Sequence, residues 1–287
     1  MLQPFVQQLQ ELRVVGYTGS YFPEWMSSPS LIHLRKLRIK NCKSCLHLPQ
    51  LEKLPSLKEL TIWGCLELEI DDLGKLPSLK VLKLYELPNL TRLSREDGEN
   101  MFQQLFILEI RRCPNLLGLP CLPSLKKMSI LGKCKHDLPS SIHKFGSLEY
   151  FKIEELNCFP DGMLRNLTSL KELDIWNCSE IEGLGEDLQH VTSLQSLSLE
   201  DLPNLTSLPD CFGNLSSLQK LSIVTCPKLT CLPVSIQSLA ALITLEIWEC
   251  PELERRCKRE TGEDWPTISH IPHLEGMFWI SPFLNTV

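Results

Sequence analysis

Apolar positions recur along the chain in the phrase L-x-x-L-x-L/I-x-x-C/L, eleven times between Leu9 and Glu254, at intervals of 20 to 26 residues. The clearest copies are Leu57, Leu60, Ile62, Cys65; Leu105, Leu108, Ile110, Cys113; Leu170, Leu173, Ile175, Cys178; Leu218, Leu221, Ile223, Cys226; and Leu242, Leu245, Ile247, Cys250. Looser copies begin at Leu9, Leu34, Leu79, Leu125, Leu148 and Leu194. Around each L-x-L the pattern alternates with period two, which predicts a short strand with Leu or Ile inward and the intervening residues outward. The remaining 11 to 15 residues of a unit must run back to the start of the next strand. They carry Leu48-Pro49, Leu119-Pro120, Leu138-Pro139, Phe159-Pro160, Leu208-Pro209 and Leu232-Pro233. Proline fixes its own φ and pushes the preceding residue toward extended geometry, so turns and short 3₁₀ or helical pieces are expected there rather than long helices.

One such unit cannot bury its own apolar edge; only stacking on a neighbour hides it, and a fixed period of this length is the signature of that solution. The expected fold is an α/β-type repeat solenoid: a leucine-rich-repeat horseshoe with one parallel, concave β-sheet of eleven strands and an irregular convex side. Residues 1–250 are assigned to the repeats and 251–287 to a C-terminal cap and tail. In the latter, 252–260 is expected to form a short helix, followed by an extended segment bearing Trp265. The polar insertion Ser94–Met101 lengthens the fourth unit and is expected to be a mobile rim loop. The sixth unit is the shortest, has Met128 for a leucine and Lys133-Cys134-Lys135-His136 for the usual turn, and is expected to be irregular. The first unit begins almost at once after Met1 with its apolar edge uncovered, as a piece of a larger protein would.

Composition narrows the function. Apolar residues make up 43% and charged residues 22%, with a net charge of −6. That supports a long packed core and gives no general attraction to phosphate backbones or anionic lipid, so no nucleic-acid partner is expected. No run of about 18 apolar residues occurs, so no membrane span is expected. The residues after Met1 do not read as a secretory signal. Of thirteen cysteines, six (Cys42, Cys65, Cys113, Cys178, Cys226, Cys250) share one repeat position that Leu87, Leu156 and Leu202 fill elsewhere. A site alternating between Cys and Leu reads as a small buried apolar position with reduced thiols. Adjacent pairs such as Cys42 and Cys65 would nonetheless fall within bridging distance.

Candidate chemistry is sparse. Cys42-x-x-Cys45 with His47 is half of a metal site without a second pair, and no nucleophile stands beside a base. No catalytic residue, cofactor or metal is assigned. N-x-[ST] occurs at Asn89, Asn166, Asn177, Asn204 and Asn214, but Asn89 and Asn204 lie in the same repeat phrase and read as structural. The informative residues are the outward ones. Arg38, Lys40, Lys83, Arg111 and Arg112 make the first half of the concave face basic. Glu154, Glu155, Asp174, Glu200, Asp201, Glu246 and Glu249 make the second half acidic. Trp63, Tyr85, Trp176 and Trp248 occupy one column, with Trp63 and Tyr85 in adjacent strands about 5 Å apart. Exposed Trp, Tyr and Arg dominate binding hot spots, so Arg38, Lys40, Trp63, Lys83, Tyr85, Arg111, Arg112, Glu154, Trp176, Glu200 and Trp248 are the candidate protein-binding residues.

The run from Cys250 through Trp265-Pro266 to Pro272 resembles the end of plant intracellular immune receptors of the coiled-coil, nucleotide-binding, leucine-rich-repeat (NLR) class. Leu-Pro-Asn-Leu-Thr at 87–91 and 202–206, Leu-Lys-Glu-Leu-Asp-Ile-Trp-Asn-Cys at 170–178, and the opening Gly16 to Trp25 are similar to the same family's repeats. The phosphate loop G-x-x-x-x-G-K-[ST] does not occur, since Gly74-Lys75 is followed by Leu76 and Gly132-Lys133 by Cys134. The resemblance implies a non-enzymatic, cytoplasmic protein-recognition module of plant innate immunity. Such a module would sense a pathogen effector or a guarded host protein on its concave face and restrain an adjoining nucleotide-binding domain. The alternative is an extracellular leucine-rich-repeat inhibitor of a pathogen cell-wall-degrading enzyme, which predicts glycans and bridged cysteines.

Overall fold

In this computed structural model, residues 8–94, 101–133, 137–157 and 159–276 are described. Every one of the eleven phrases yields one five-residue strand, and the chain divides into two compact units, residues 1–148 and 149–287. The first holds β1 (Glu11–Val15), β2 (Lys36–Lys40), β3 (Glu59–Trp63), β4 (Val81–Tyr85), β5 (Ile107–Arg111) and β6 (Lys127–Leu131), parallel neighbours in chain order. The second holds β7 (Tyr150–Glu154), β8 (Glu172–Trp176), β9 (Ser196–Glu200), β10 (Lys220–Val224) and β11 (Thr244–Trp248), again parallel and in order. A twelfth strand, β12 (His273–Glu275), extends this second sheet beside β11. The sequence pattern misses it because only Leu274 stands where a whole L-x-x-L phrase would be needed.

Numbering each strand 1 to 5, positions 2 and 4 point inward. Leu37, Ile39, Leu60, Ile62, Leu82 and Leu84 in the first unit, and Leu173, Ile175, Leu221 and Ile223 in the second, are almost fully buried. Each such side chain contributes about 1.5–3 kcal/mol of hydrophobic stabilisation, available only because the next repeat covers it. The return segments follow the proline logic. Short 3₁₀ turns at Glu24–Ser27, Asp210–Asn214 and Val234–Ser238 are each entered from a proline in extended geometry, Pro23, Pro209 and Pro233. Further 3₁₀ turns occur at Leu51–Lys53, Ile142–Lys144 and Glu186–His190, and one helical turn, α1, at Asp137–Ser140.

The residue after each of the first eleven strands is left-handed: Gly16, Asn41, Gly64, Glu86, Arg112, Gly132, Glu155, Asn177, Asp201, Thr225 and Glu249 have φ between +51° and +90°. At Gly16, Asn41, Gly64, Glu86, Arg112, Asn177, Asp201 and Thr225 the residue's N–H reaches across to the next repeat and donates to the carbonyl of strand position 5. Asn41 reaches Trp63 O at 2.7 Å, Gly64 reaches Tyr85 O at 2.9 Å, and Thr225 reaches Trp248 O at 2.8 Å. The following residue is the recurrent cysteine. Its thiol turns back to the position-5 carbonyl of its own strand, as in Cys178 Sγ to Trp176 O at 3.2 Å and Cys250 Sγ to Trp248 O at 3.3 Å. In two places the sulfur also accepts a neighbouring repeat's N–H, Leu156 N to Cys178 and Cys226 N to Cys250, both at 3.3 Å. The reading of this position as merely small and apolar is therefore incomplete. Cysteine supplies a weak donor and acceptor where leucine supplies neither. Burial pushes the Cys65 and Cys113 thiols up to about 11, which keeps them protonated as donors, and all eleven cysteines among the described residues are free.

After β11, α2 (Pro251–Arg256) takes up part of the expected helix. Trp265 does not lie in an extended segment: it opens a second helical piece, α3 (Trp265–Ile268), where Pro266 in the first turn needs no N–H donor. Asp264 at its start is only 7% exposed. Its carboxylate accepts from Arg256 Nη2 at 2.6 Å and Nε at 3.1 Å, and from the backbone N–H of Leu232 at 3.4 Å. Residues 95–100 and 134–136, which hold most of the expected rim loop and sixth-unit irregularity, lie outside the described residues.

Two measurements check these supports. Gly64 has φ +65°, and a Cβ there would meet Asn41 Oδ1 at 2.5 Å; Gly64→Val is expected to destabilise by about 2 kcal/mol in urea unfolding, whereas Gly64→Asn, the residue at equivalent positions 41 and 177, should cost under about 1 kcal/mol. Asp264→Ala strips Arg256 of its buried carboxylate, leaving it the exposed Glu263, and leaves the Leu232 N–H unpaired; it is expected to cost about 2 kcal/mol, against less than about 0.5 kcal/mol for the exposed Glu260→Ala.

Candidate protein-binding face

Strand positions 1, 3 and 5 face outward, and the parallel register turns each into a column. Position 5 of the first unit reads Val15, Lys40, Trp63, Tyr85, Arg111, Leu131. Lys40, Trp63, Tyr85 and Arg111, four of the sequence candidates, are therefore consecutive neighbours. Trp63 and Tyr85 meet edge to face with ring centroids 6.2 Å apart. On the other side Lys40 Nζ lies 3.8 Å from the Trp63 ring centroid, a cation–π contact. Trp63 remains 38% exposed. The Tyr85 hydroxyl donates to the Glu109 carboxylate, which also takes the Lys83 ammonium at 2.8 Å. Burial first, and then the hydrogen bond to Glu109, hold the Tyr85 phenol well above the ordinary tyrosine range.

The first unit's outward positions carry Arg13, Lys36, Arg38, Lys40, Lys83, Arg111 and Lys127 against Glu11, Glu59 and Glu109. Glu11 takes both Arg13 at 2.7 Å and Arg38 at 3.4 Å, and Glu59 takes Lys36 at 2.8 Å. Cationic charge therefore remains in excess beside the aromatic pair. Arg112 is not part of this face: it is the left-handed residue past β5, on the rim, 3.6 Å from Glu86.

In the second unit Trp176 lies in register between Glu154 and Glu200, with Lys152 Nζ 5.2 Å from its ring centroid. Glu154 is only 8% exposed, so the expected surface carboxylate is largely covered, with the bulky indole of Trp176 as its register neighbour. Other acidic candidates are engaged: Asp174 accepts from the Tyr150 hydroxyl at 3.0 Å, Glu246 pairs with Lys220 at 2.5 Å, and Glu249 accepts from Thr225 at 3.0 Å. Trp248 stands apart, with Val224 as its register partner, and β12 pairs only with Thr244–Glu246. Sequence reasoning passed over Glu109 and Lys152. Both sit between two inward residues of their strand, so the period-two count that selected Lys83 would have found them.

The other motifs resolve into structure. Cys42 and Cys45 are buried, with thiols turned to Lys40 O at 3.5 Å and Gly19 O at 3.0 Å. Among the described residues no three His, Cys, Asp or Glu side chains gather into a metal-holding group. Asn89 and Asn204 donate to carbonyls of the preceding repeat, Leu66 O at 3.0 Å and Ser179 O at 2.6 Å. An open cleft of about 520 Å³ lies away from the strand face, lined by His47, Glu69, Ile70, Asp71, Asn89, Thr91 and Asn115. No helix among the described residues is long and apolar enough to cross a membrane.

The comparisons with known proteins agree with this architecture. Residues 1–65 match the family described as R13L1/DRL21 leucine-rich repeats, and residues 123–251 match the leucine-rich repeats of the plant disease resistance protein RPS2-like family. The chain is a leucine-rich-repeat array, and the proteins it resembles are plant disease-resistance proteins. It is 34% identical over 177 residues to the putative disease resistance protein RGA4 of Solanum bulbocastanum, covering 57% of this chain and 18% of that one. It is 30% identical over 211 residues to the putative disease resistance RPP13-like protein 1 of Arabidopsis thaliana, covering 64% and 19%. The chain thus spans about a fifth of the length of these relatives. Among solved structures, Toll in the Drosophila Toll–Spatzle complex matches with a TM-score of 0.54 at 14% identity, over 96% of this chain and 34% of that one. At that identity the match speaks to the fold alone.

The Tyr85 environment makes a prediction with a defined sign. Its folded pKa is raised, so the stabilisation it carries is complete below the unfolded tyrosine value of about 10 and is lost as pH rises beyond it. Relative to Tyr85→Phe, the wild type should lose stability above about pH 10, and the difference between their ultraviolet phenolate titrations should place Tyr85 above the ordinary tyrosine range. A Tyr85 that ionises near the ordinary value of about 10 contradicts the assigned hydrogen bond.

Proposed function

We propose that this chain is a non-enzymatic, cytoplasmic protein-recognition module of plant defence. Its outward strand face binds a pathogen effector or a guarded host protein, and the repeats restrain an adjoining nucleotide-binding domain. Residues 251–276 serve as the terminal cap that closes the last repeat. The observation that carries the recognition reading is the contiguous Lys40–Trp63–Tyr85–Arg111 row, in which an exposed indole and a phenol are flanked by cations on a backbone fixed by the ladder. Aromatic and arginine side chains on a rigid support are the groups from which binding hot spots are built. The relatives' standing as disease-resistance proteins supports the defence setting. Free thiols at every described cysteine favour this reading over an extracellular, disulfide-bridged inhibitor.

The test is calorimetric titration of the full receptor with a candidate effector or host protein that triggers its defence response. Replacing Trp63, Tyr85 and Arg111 together by Ala is expected to weaken binding at least about 30-fold, the equivalent of about 2 kcal/mol from one hot-spot residue. The fold is checked by circular dichroism. Unchanged affinity removes this face from the function.

A further inference from the structure

The residue immediately before each strand forms another column, on the rim where the strands begin. In the first unit it reads Gln10, Arg35, Lys58, Lys80, Phe106, Lys126. The backbone holds this row in place: the N–H of Lys58 donates to Arg35 O at 2.8 Å, that of Lys80 to Lys58 O at 2.8 Å, that of Phe106 to Lys80 O at 2.9 Å, and that of Lys126 to Phe106 O at 3.0 Å. Arg35, Lys58 and Lys80 are exposed, and among the described residues none has a carboxylate within ion-pair distance. Phe106 interrupts the cations with a ring that is 44% exposed. The equivalent column of the second unit, Glu149, Lys171, Gln195, Gln219 and Ile243, is different, since its one cation, Lys171, is paired with Glu149 at 2.7 Å. A line of three unneutralised cations, Arg35, Lys58 and Lys80, leading to one exposed apolar ring is thus a feature of the first unit's rim.

We propose that this rim binds an acidic amphipathic helix of a partner protein, laid across the strands with its carboxylates on Arg35, Lys58 and Lys80 and one apolar side chain on Phe106. The spacing favours a helix. Strands about 4.8 Å apart put the four rim positions at about 0, 5, 10 and 14 Å. Helix positions i, i+3, i+7 and i+10 share one face and fall at about 0, 5, 11 and 15 Å. The residual mismatch is within the reach of a lysine side chain. A phosphate backbone offers the charge but no apolar group for Phe106. This surface is separate from the Lys40–Arg111 row, so the two proposals fail independently.

The experiment is fluorescence anisotropy on the full chain with a labelled, end-capped Ala/Gln helix bearing Glu at positions 1, 4 and 8 and Leu at 11. Saturable binding is expected that weakens at least about tenfold in Lys58→Glu/Lys80→Glu and falls steeply as salt rises from about 50 to about 300 mM. Phe106→Ser should weaken it about fivefold. Gln195→Glu, at the matching position of the second unit, and Trp63→Ala should leave it unchanged. The same peptide with Lys for Glu should not bind. A duplex DNA of equal charge and phosphatidylserine vesicles serve as rivals. The proposal is overturned if the Glu peptide does not bind, if charge reversal leaves its affinity unchanged, or if DNA or vesicles bind as tightly and are as insensitive to Phe106→Ser as a bare cationic surface would be.

Discussion

Each repeat can satisfy neither its apolar edge nor its backbone polar groups without the next repeat. Both debts are met by one device, a parallel ladder whose register is continued past the strand by the left-handed residue. At that residue the chain would otherwise leave the sheet. Its positive φ instead turns the N–H of Asn41, Gly64, Asn177 or Thr225 onto the position-5 carbonyl of the next repeat. For residues such as Glu86, Arg112 and Thr225, which have no special tolerance of that geometry, the cost is about 1–2 kcal/mol each. An unsatisfied buried N–H or carbonyl costs about as much or more, so the strained turn is the cheaper arrangement.

The same position-5 carbonyl explains why cysteine recurs just beyond it. The carbonyl has two lone pairs; the preceding repeat's N–H uses one, and the thiol of its own strand's cysteine the other. Leucine at 87, 156 and 202 fills the space but leaves that second interaction unmade. Cysteine is small enough to be buried and polar enough to finish the hydrogen bonding. Desolvation, by raising Cys65 and Cys113 to about 11, keeps the thiol in the form the ladder needs. The residue type that invited a disulfide reading thus has a hydrogen-bonding reason for its place.

What the sequence made legible was whatever has a fixed period. Leu60 and Ile62, or Leu173 and Ile175, announce their strands because burial on one face forces alternation, and the outward column from Lys40 to Arg111 follows by counting. Features depending on a partner across a repeat boundary stayed hidden. Nothing in the identity of Glu109 says that Tyr85 and Lys83 converge on it, because the residues lie in different repeats and meet only through register. Glu154 reads as a surface carboxylate by phase, yet it is largely covered beside Trp176. β12 escaped because three residues carry too little periodicity, and the helical start at Trp265 because proline reads as a breaker until its place in a first turn is known.

The remaining tension is whether the aromatic column only stiffens the sheet. An edge-to-face pair such as Trp63 and Tyr85 is worth about 0.5–1.5 kcal/mol beyond its buried area, and a cation–π contact at an exposed site about 0.5–1 kcal/mol. Stiffening would account for the pair if the indole were spent on it. It is not: Trp63 keeps 38% of its surface in water, a large apolar area whose burial stabilises nothing in the free protein. Tyr85, by contrast, is committed inward through Glu109 and Lys83, which locks the face against which the indole rests. A tethered phenol, an indole held on edge and a lysine poised over it leave few side-chain rotamers to lose when a partner arrives. The stiffening and binding roles are therefore not rivals, because the contacts that rigidify Trp63 lower the entropic cost of using its exposed edge.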